Sequence, residues 1–372
     1  MPQPKRILFS GYAPVHFVCF QPVYQKLRAD PRVDVYLSGG FRVKDGDDVS
    51  FNIDGFYDPF PVDRTRIIPP TELPNQHFDV VVCSHLSDTL FPGSFTRTVQ
   101  ITHGVSFKNL AVREKALRYD FICVAGRYHA EKYREQGLIR AGGSRVLITG
   151  LAKVDPLANG SLDRNKTLRA LGLDPALPTL LFAPTGDKHN ALETWGEAAV
   201  RSLADQPQWN LLVKPHDHPK KQIDWFAELA PLESSRMKLV RDMDIVPFLH
   251  AADLLITDAS SVAVEYTLMD RPIVFLDVPK LFDKLETRAP ALDLATYGRK
   301  IGWTVPVGES AVDAVREALA NPALHSDLRR QMAAHVFFGA GEASGRVRDV
   351  ILYAAGVESS LPAGMQPQTA DA

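Results

Sequence analysis

Ser260 and Ser261 follow a short apolar run at 253–256, and Asp258 lies between the run and the serines. Two small hydroxyl residues at the start of a helix offer backbone N–H groups and O–H donors, which suits phosphate oxygens. Glu265 lies one helical turn after Ser261, on the same face of the predicted helix. Its carboxylate could accept hydrogen bonds from a ribose there. These residues indicate a nucleotide site. Two alternatives stay open: Asp258 and Ser260 only cap the helix, and Glu265 is solvated.

His103 follows the apolar run 99–101 and precedes Gly104, with Lys108 five residues further on. A histidine at the carboxyl end of a strand could act as a general base, because its ordinary pKa lies near neutrality and the glycine allows close backbone approach. The alternative, a structural hydrogen-bonding histidine, stays open at this point.

The segment 211–221 is the densest basic patch of the chain. It contains Lys214, His216, His218, Lys220 and Lys221. Such a patch could neutralise a phosphodiester or pyrophosphate. His216 and His218 lack a third ligand at metal-site spacing, so we expect no cofactor, and only a divalent cation is left open. P-loop, dinucleotide and nucleophile-elbow motifs are absent from the sequence, which disfavours ATPases, standard dehydrogenases and α/β-hydrolases.

Short apolar runs without alternation predict strands that are covered on both faces. The first set is 7–9, 33–37, 78–83, 99–101, 121–124 and 146–148, and the second is 179–182, 210–213, 237–240, 253–256, 273–276 and 303–305. Segments of helical length lie between many of them, for example 107–119, 127–137 and 194–205. Strands alternating with helices predict an α/β fold with parallel sheets.

Twelve strands are too many for one ordinary sheet, so we predict two doubly wound Rossmann-like domains. The expected boundaries are an acceptor-side domain at 1–155 and a nucleotide-donor domain at 156–330. Helices at 331–356, expected to pack back on the first domain, and a disordered tail at 357–372 follow. Ligands of such sheets bind beyond the carboxyl ends of the strands, which adds Gly11, Gly150 and Thr185 to the candidates and suggests a cleft between the domains.

The net charge of −2 over 372 residues excludes a global cationic surface for nucleic acid. Three separated cysteines argue against a disulfide framework and for a reducing, cytoplasmic compartment. No apolar run approaches the length of a membrane span or a signal-peptide core. The composition therefore predicts a folded, soluble protein with a local anion site.

Five segments, taken together, resemble the motifs of the CDP-glycerol glycerophosphotransferase family. They are ITHGVSFK at 101–108, ITGLAKVDPL at 148–157, LLFAPTGD at 180–187, LLVKPH at 211–216 and ADLLITDASSVAVEYTLMDRPIVFLD at 252–277. These segments are similar to the family's W-H-G-T-x-x-K, T-G-x-P-R-x-D, I-L-Y-A-P-T-W-R, basic-x-H-P and A-D-x-L-I-T-D-Y-S-S motifs, in the same order. The sequence departs from them at Val105, Lys153, Gly186, Asp187 and Ala259, and by the insertion of Asp217 and His218.

The resemblance implies a GT-B fold, with His103 and His216 (or His218) as the two histidines of the catalytic site. It also implies that Ser260 and Ser261, with Asp258 beside them, hold the phosphates of a cytidylyl donor. Glu265, Thr185, Lys214 and Gly150 complete the predicted donor site, while Gly104, Lys108 and Gly11 are assigned to the acceptor or to a supporting role.

The expected activity is transfer of glycerol phosphate, or a related polyol phosphate, from CDP-glycerol or another nucleotide-activated donor to a hydroxyl of a surface polysaccharide or lipid-linked acceptor. CMP would leave. Two alternatives are kept: a nucleotide-sugar glycosyltransferase or non-hydrolysing epimerase, and an inactive scaffold of surface-polymer assembly, which Gly186, Asp187 and Ala259 favour. A lipid-linked acceptor implies peripheral contact with the inner face of the cell membrane. Nucleic acid is not expected as a partner, and the oligomeric state is left open.

Overall fold

Two parallel six-stranded sheets organise the chain. The computed structural model describes residues 3–45, 48–86, 91–109, 111–139, 145–216, 223–286, 293, 297–362 and 365. The chain divides into two compact units. The first unit contains Met1–His103, Ala111–Asp155 and Val336–Ala372, and the second contains Gly104–Leu110 and Pro156–His335.

The sheet of the first unit has the order β2-β1-β5-β6-β7-β8, and all its neighbouring strands are parallel. Its strands are β1 (Lys5–Ser10), β2 (Val33–Ser38), β5 (His77–Cys83), β6 (Ser94–Ile101), β7 (Phe121–Val124) and β8 (Val146–Ile148); β3 (Phe41–Asp45) and β4 (Asp48–Asn52) form a separate antiparallel hairpin. The helices are α1 (Pro14–Arg28), α2 (Ile53–Tyr57), α3 (Arg127–Glu135) and, at the end of the chain, α13 (Ala343–Ala354).

The sheet of the second unit has the order β11-β10-β9-β12-β13-β14 and is also parallel. Its strands are β9 (Thr179–Phe182), β10 (Asn210–Val213), β11 (Met237–Leu239), β12 (Leu254–Thr257), β13 (Ile273–Leu276) and β14 (Trp303–Val305). Its helices are α5 (Arg164–Ala170), α6 (Ala191–Ala204), α7 (Trp225–Leu229), α8 (Val246–Ala251), α9 (Val262–Tyr266), α10 (Pro279–Glu286), α11 (Ala311–Ala320) and α12 (Ser326–Val336), and α4 (Asp155–Ala158) begins at the last residue of the preceding unit.

All twelve predicted strands are confirmed, because runs such as TLLF in β9 and IVFL in β13 are buried over their whole length. The hairpin β3–β4 is an addition that the sequence analysis missed. The predicted helical segment 107–119 is wrong for the most part, because its described residues contain no α-helix and form a 3₁₀ helix only at Glu114–Arg118.

The C-terminal helix α13 is part of the first unit, where it packs against α1. The Asp155 carboxylate accepts hydrogen bonds from the backbone N–H groups of Gly341, Ala343 and Ser344, at 3.2, 2.9 and 2.7 Å. In the segment predicted as a tail, Glu358 pairs with Arg32 and Met365 is buried. Most of the remaining tail lies outside the described residues, and its disorder stays a prediction.

Candidate active site

In the second unit, Thr185 and Asp258 lie at the carboxyl ends of β9 and β12, neighbouring strands at which the strand order reverses. Such a reversal opens the crevice in which α/β sheets bind ligands. The Asp258 carboxylate accepts bonds from the N–H groups of Thr185 (2.8 Å), Ala191 (2.8 Å) and Ala259 (2.6 Å). Burial raises the pKa of Asp258, although these three N–H groups and the charge of Lys108 favour the ionised form. Asp258 therefore fixes the loop after β9 against β12.

Lys108 joins this loop from a distant part of the sequence. Its Nζ donates to Oγ1 of Thr185 at 3.0 Å and to Oδ2 of Asp187 at 2.6 Å. Burial alone would raise the pKa of Asp187, but the charge and hydrogen bond of Lys108, followed by the Thr185 hydroxyl and the charge of His216, lower it. The result is an ion pair whose cation is buried.

The backbone on both sides of Lys108 is strained. Phe107 and Asn109 have φ values of 50° and 53°, in the left-handed region that non-glycine residues rarely adopt. Phe107 is fully buried against the ring of Tyr297, and its carbonyl accepts the N–H of Asp293 at 3.0 Å. Such strain persists only where the surroundings enforce it, and it concentrates at functional sites.

Gly104, Ser261 and Glu265 lie together. A Cβ at Gly104 would stand 3.3 Å from Oε1 of Glu265 and 3.4 Å from Oγ of Ser261. Ser261 precedes α9 without a side-chain capping bond, and Ser260 Oγ lies 3.5 Å from the N–H of Val262, the limit of a weak capping contact. Glu265 is fully buried, so the alternative of a solvated Glu265 is wrong. Asp258 does not cap α9 either, because its carboxylate binds the three N–H groups named above.

His216 is exposed and lies beside Gly186, where a Cβ would come within 2.8 Å of Cγ and Nδ1 of the imidazole. Lys214 is buried, and its Nζ donates to the carbonyl of Asp242 at 2.5 Å. Predicted residues Asp217, His218, Lys220 and Lys221 lie outside the described residues. The second unit thus joins Thr185, Lys108 and Asp258 through one set of hydrogen bonds and brings Gly104, Ser261 and Glu265 together in another group. It also places His216 against the loop that carries Thr185.

In the first unit, His103 lies just after β6 and is exposed. Its Nδ1 is 3.0 Å from the carbonyl oxygen of Ser84. Because a carbonyl only accepts, Nδ1 carries the proton in this tautomer and Nε2 keeps its lone pair. Desolvation lowers the pKa of His103 below its ordinary value of 6.5; the bond to Ser84 opposes this shift, and the charge of Lys153 adds to it. A neutral imidazole with an available Nε2 is suited to accept a proton.

The two remaining glycines have packing reasons within the first unit. A Cβ at Gly11 would lie 2.8 Å from Cβ of His16. Gly150 has a φ of 90°, and a Cβ there would lie 2.6 Å from the carbonyl oxygen of Phe338. The role of Gly150 in donor binding stays a prediction.

Three further histidines lie in the same unit as His103 and were not predicted from the sequence. His16 on α1, His85 after β5 and His129 on α3 are all buried. His16 and His85 follow the carboxyl ends of β1 and β5, so the strand-end rule applied to Gly11 and His103 could have found them.

Among the described residues, no group of three or more His, Cys, Asp or Glu side chains could hold a metal ion. Within the same part of the chain, no helix is both long and apolar enough to cross a membrane.

A family model described as CDP-Glycerol:Poly(glycerophosphate) glycerophosphotransferase matches residues 80–283, more than half of the chain. The chain belongs to this family. The family resemblance predicted from the five motifs is therefore confirmed. A curated relative, the teichoic acid glycerol-phosphate primase of Bacillus spizizenii, is 28% identical over 157 residues, which cover 42% of this chain and 40% of the primase. The match thus spans less than half the length of that relative.

Solved structures show the fold of this family member. A variant of the wall teichoic acid polymerase TagF is similar with a TM-score of 0.65 and 16% identity, over 95% of this chain and 90% of the polymerase. The S. aureus MnaA–UDP structure is similar with a TM-score of 0.59 and 16% identity, over 96% and 99% of the two chains. The predicted GT-B-like α/β class, with two doubly wound halves, is confirmed.

Proposed function

We propose that this chain transfers glycerol phosphate, or a related polyol phosphate, from a CDP-activated donor to a hydroxyl of a surface polysaccharide or lipid-linked acceptor. Family membership supports the reaction class. The observation that carries the mechanism is the bond between Nδ1 of His103 and the Ser84 carbonyl, because it leaves Nε2 as a base. The acceptor oxygen forms a bond to the β-phosphorus, the bond from that phosphorus to the CMP oxygen breaks, and Nε2 takes the acceptor proton.

The second unit supplies the groups for the donor. Phosphoryl transfer depends mainly on positioning and on stabilising negative charge. Ser260 and Ser261 donate to the diphosphate, and exposed His216 stabilises the charge on departing CMP. Lys108, Thr185 and Asp258 hold the loop after β9 and the segment 104–109 in place. Glu265 accepts a hydrogen bond from a hydroxyl group of the donor. Lys214 contributes positive charge, and Gly104 permits the close approach that Ser261 and Glu265 require.

This assignment is tested by measuring CMP release from CDP-glycerol in the presence of a glycerol phosphate acceptor. His103→Ala should lower the rate by at least about 100-fold, the contribution of a general base. His77→Ala removes an exposed histidine of the same unit and should behave as wild type. Equal turnover of wild type and His103→Ala would contradict the role of His103.

Donor identity is tested separately by thermal shift with CDP, UDP and GDP. A ligand that binds the folded protein stabilises it against unfolding, by about 2.7 kcal/mol when the ligand concentration is 100 times the dissociation constant, and a tighter ligand stabilises it more. CDP should raise the melting temperature most. Preferential stabilisation by UDP would favour a nucleotide-sugar enzyme instead, and CDP binding without turnover of any donor would favour a scaffold. A cytoplasmic location with contact at the inner face of the membrane belongs to the same proposal, because a lipid-linked acceptor would require such contact.

A further inference from the structure

A cluster of aromatic and imidazole rings lies at the carboxyl ends of β1 and β5 in the first unit. The centroid of the Tyr12 ring lies 4.6 Å from that of the His16 ring and 4.7 Å from that of the His85 ring. His16 lies 5.2 Å from His85 and 6.4 Å from His103 by the same measure. The cluster therefore reaches the proposed base through His16, and the donor chemistry does not use its rings.

The position of this cluster in the sheet is that of a ligand site. The strand order reverses between β1 and β5, and such a reversal is where open α/β sheets bind their ligands. Tyr12 lies two residues after β1, and His85 lies two residues after β5. The absence of a side chain at Gly11 allows His16 to pack into the same place.

The chemistry of the cluster favours hydroxyl groups over anions. Desolvation lowers the pKa of His16 well below its ordinary value, and His85 and His103 lower it further, so the ring is neutral near pH 7. A neutral imidazole has one donor and one acceptor nitrogen, which matches a hydroxyl group. Lys153 is the charged side chain whose effect reaches His103.

His16 also has an unmet hydrogen-bonding group. It is 5% exposed, and its Nδ1 is buried with no hydrogen-bond partner among the described residues. Leaving such an atom unsatisfied is costly, and native proteins rarely do so without a reason. Tyr12, by contrast, is 45% exposed, and its ring provides an apolar surface for the C–H groups of a polyol.

We propose that Tyr12, His16 and His85 form a binding subsite for the hydroxyl-bearing end of the acceptor, next to His103. The subsite takes a neutral polyhydroxyl group, either a terminal glycerol or a sugar. This inference rests on the proposed transferase function, since it names how that reaction selects its acceptor.

The first experiment is independent of turnover. A glycerol phosphate trimer with a free terminal hydroxyl, and separately methyl β-glucoside, are titrated into the full chain while the histidine side-chain NMR signals are recorded. Signals of His16 should shift with at least one probe, and the probe that shifts them identifies the acceptor end. Signals that move with neither probe would overturn the subsite, even if CMP release from CDP-glycerol is observed.

The second experiment separates acceptor from donor. Tyr12→Ala is the main variant because Tyr12 is exposed and its loss should not unfold the unit; His16→Gln is the companion, and Val15→Ala, an exposed neighbour on α1, is the control. Tyr12→Ala and His16→Gln should raise KM for the acceptor about tenfold with KM for CDP-glycerol unchanged. An unchanged acceptor KM in Tyr12→Ala, or an equal rise in donor KM, would overturn the inference. If wild type does not turn over CDP-glycerol, the proposed function fails, and the NMR titration still decides the subsite.

Discussion

The ammonium of Lys108 lies 2.6 Å from Oδ2 of Asp187, in a pair whose side chains are 8% and 38% exposed. Asp187 stands where the family motif has an arginine, and the sequence alone makes this departure an argument for an inactive scaffold. In the structure the carboxylate has a partner, since it balances a buried lysine and bonds Thr185. The aspartate at position 187, which differs from the arginine of the family motif, thus forms an ion pair with Lys108.

The unequal burial of the pair predicts unequal effects of its two removals. Asp187→Asn leaves a buried ammonium with less compensation, whereas Lys108→Met leaves a carboxylate that water reaches. Asp187→Asn should therefore lower the melting temperature more than Lys108→Met. The double variant should lose less than the sum, with a coupling of roughly 0.5 to 3 kcal/mol. Calorimetry of the four proteins measures this cycle, and strictly additive losses would show that the pair contributes nothing.

Gly186→Ala tests the contact with His216. The added Cβ would come within 2.8 Å of the imidazole, so the ring must move. Because small displacements of positioned groups can cost 100-fold in rate, we expect CMP release to fall at least tenfold with little loss of stability. Gly345→Ala is the control: it lies in α13, and a Cβ there meets nothing within 4 Å. A Gly186→Ala enzyme with the wild-type rate would remove His216 from the mechanism.

The pH dependence of the rate should report His103. Its pKa is lowered, so the neutral, basic form persists down to below pH 6.5, and kcat/KM should fall only on the acid side of that value. The charge of Lys153 contributes to this lowering. Lys153→Met should therefore move the acid limb to higher pH, and His103→Gln should abolish it. An acid limb that keeps its position in Lys153→Met would assign the titration to another group.

Acid should destabilise the first unit through its buried histidines. Burial, and then the charge of His103, lowers the pKa of His129 to about 4. Between about pH 6.5 and 4 the unfolded chain holds a proton that the folded chain does not, so the free energy of unfolding falls as the pH falls. His129 contributes at most about 1.4 kcal/mol per pH unit, and His16 acts in the same direction. Urea unfolding at several pH values should show a shallower slope for His129→Asn than for the control His77→Asn.

The sequence was sufficient for the strands of both sheets, because most of them contain a short apolar run that is buried in the sheet. It was not sufficient for the hairpin β3–β4, whose Phe41 and Val43 are exposed and do not form a buried run. The helix expected at 107–119 failed for a different reason. Tertiary contacts hold Phe107 and Asn109 in left-handed conformations, which no local pattern around Lys108 reveals.

The candidate site was predictable where a motif places its residues in one segment, as at Asp258, Ser260 and Ser261. The residues that contact this segment could not be predicted from the sequence. Thr185 bonds Asp258, and Lys108 bonds Thr185 and Asp187, across sequence separations of 73, 77 and 79 residues, which no local pattern reveals. His16 was not predicted as a site residue, because it lies among the apolar residues of α1 in the sequence.

The Asp155 carboxylate accepts hydrogen bonds from backbone N–H groups at the start of α13, and this contact limits which fragments of the protein can fold alone. A recombinant fragment that ends at residue 155 would lack α13, whose Val347, Val350 and Ile351 are fully buried in the intact chain. The apolar surface of α1 that packs against this helix would then be uncovered. Such a fragment should aggregate, whereas a version in which residues 336–362 are fused to it through a flexible linker keeps the missing partner. Limited proteolysis between the two units should accordingly leave the C-terminal peptide bound to the N-terminal fragment.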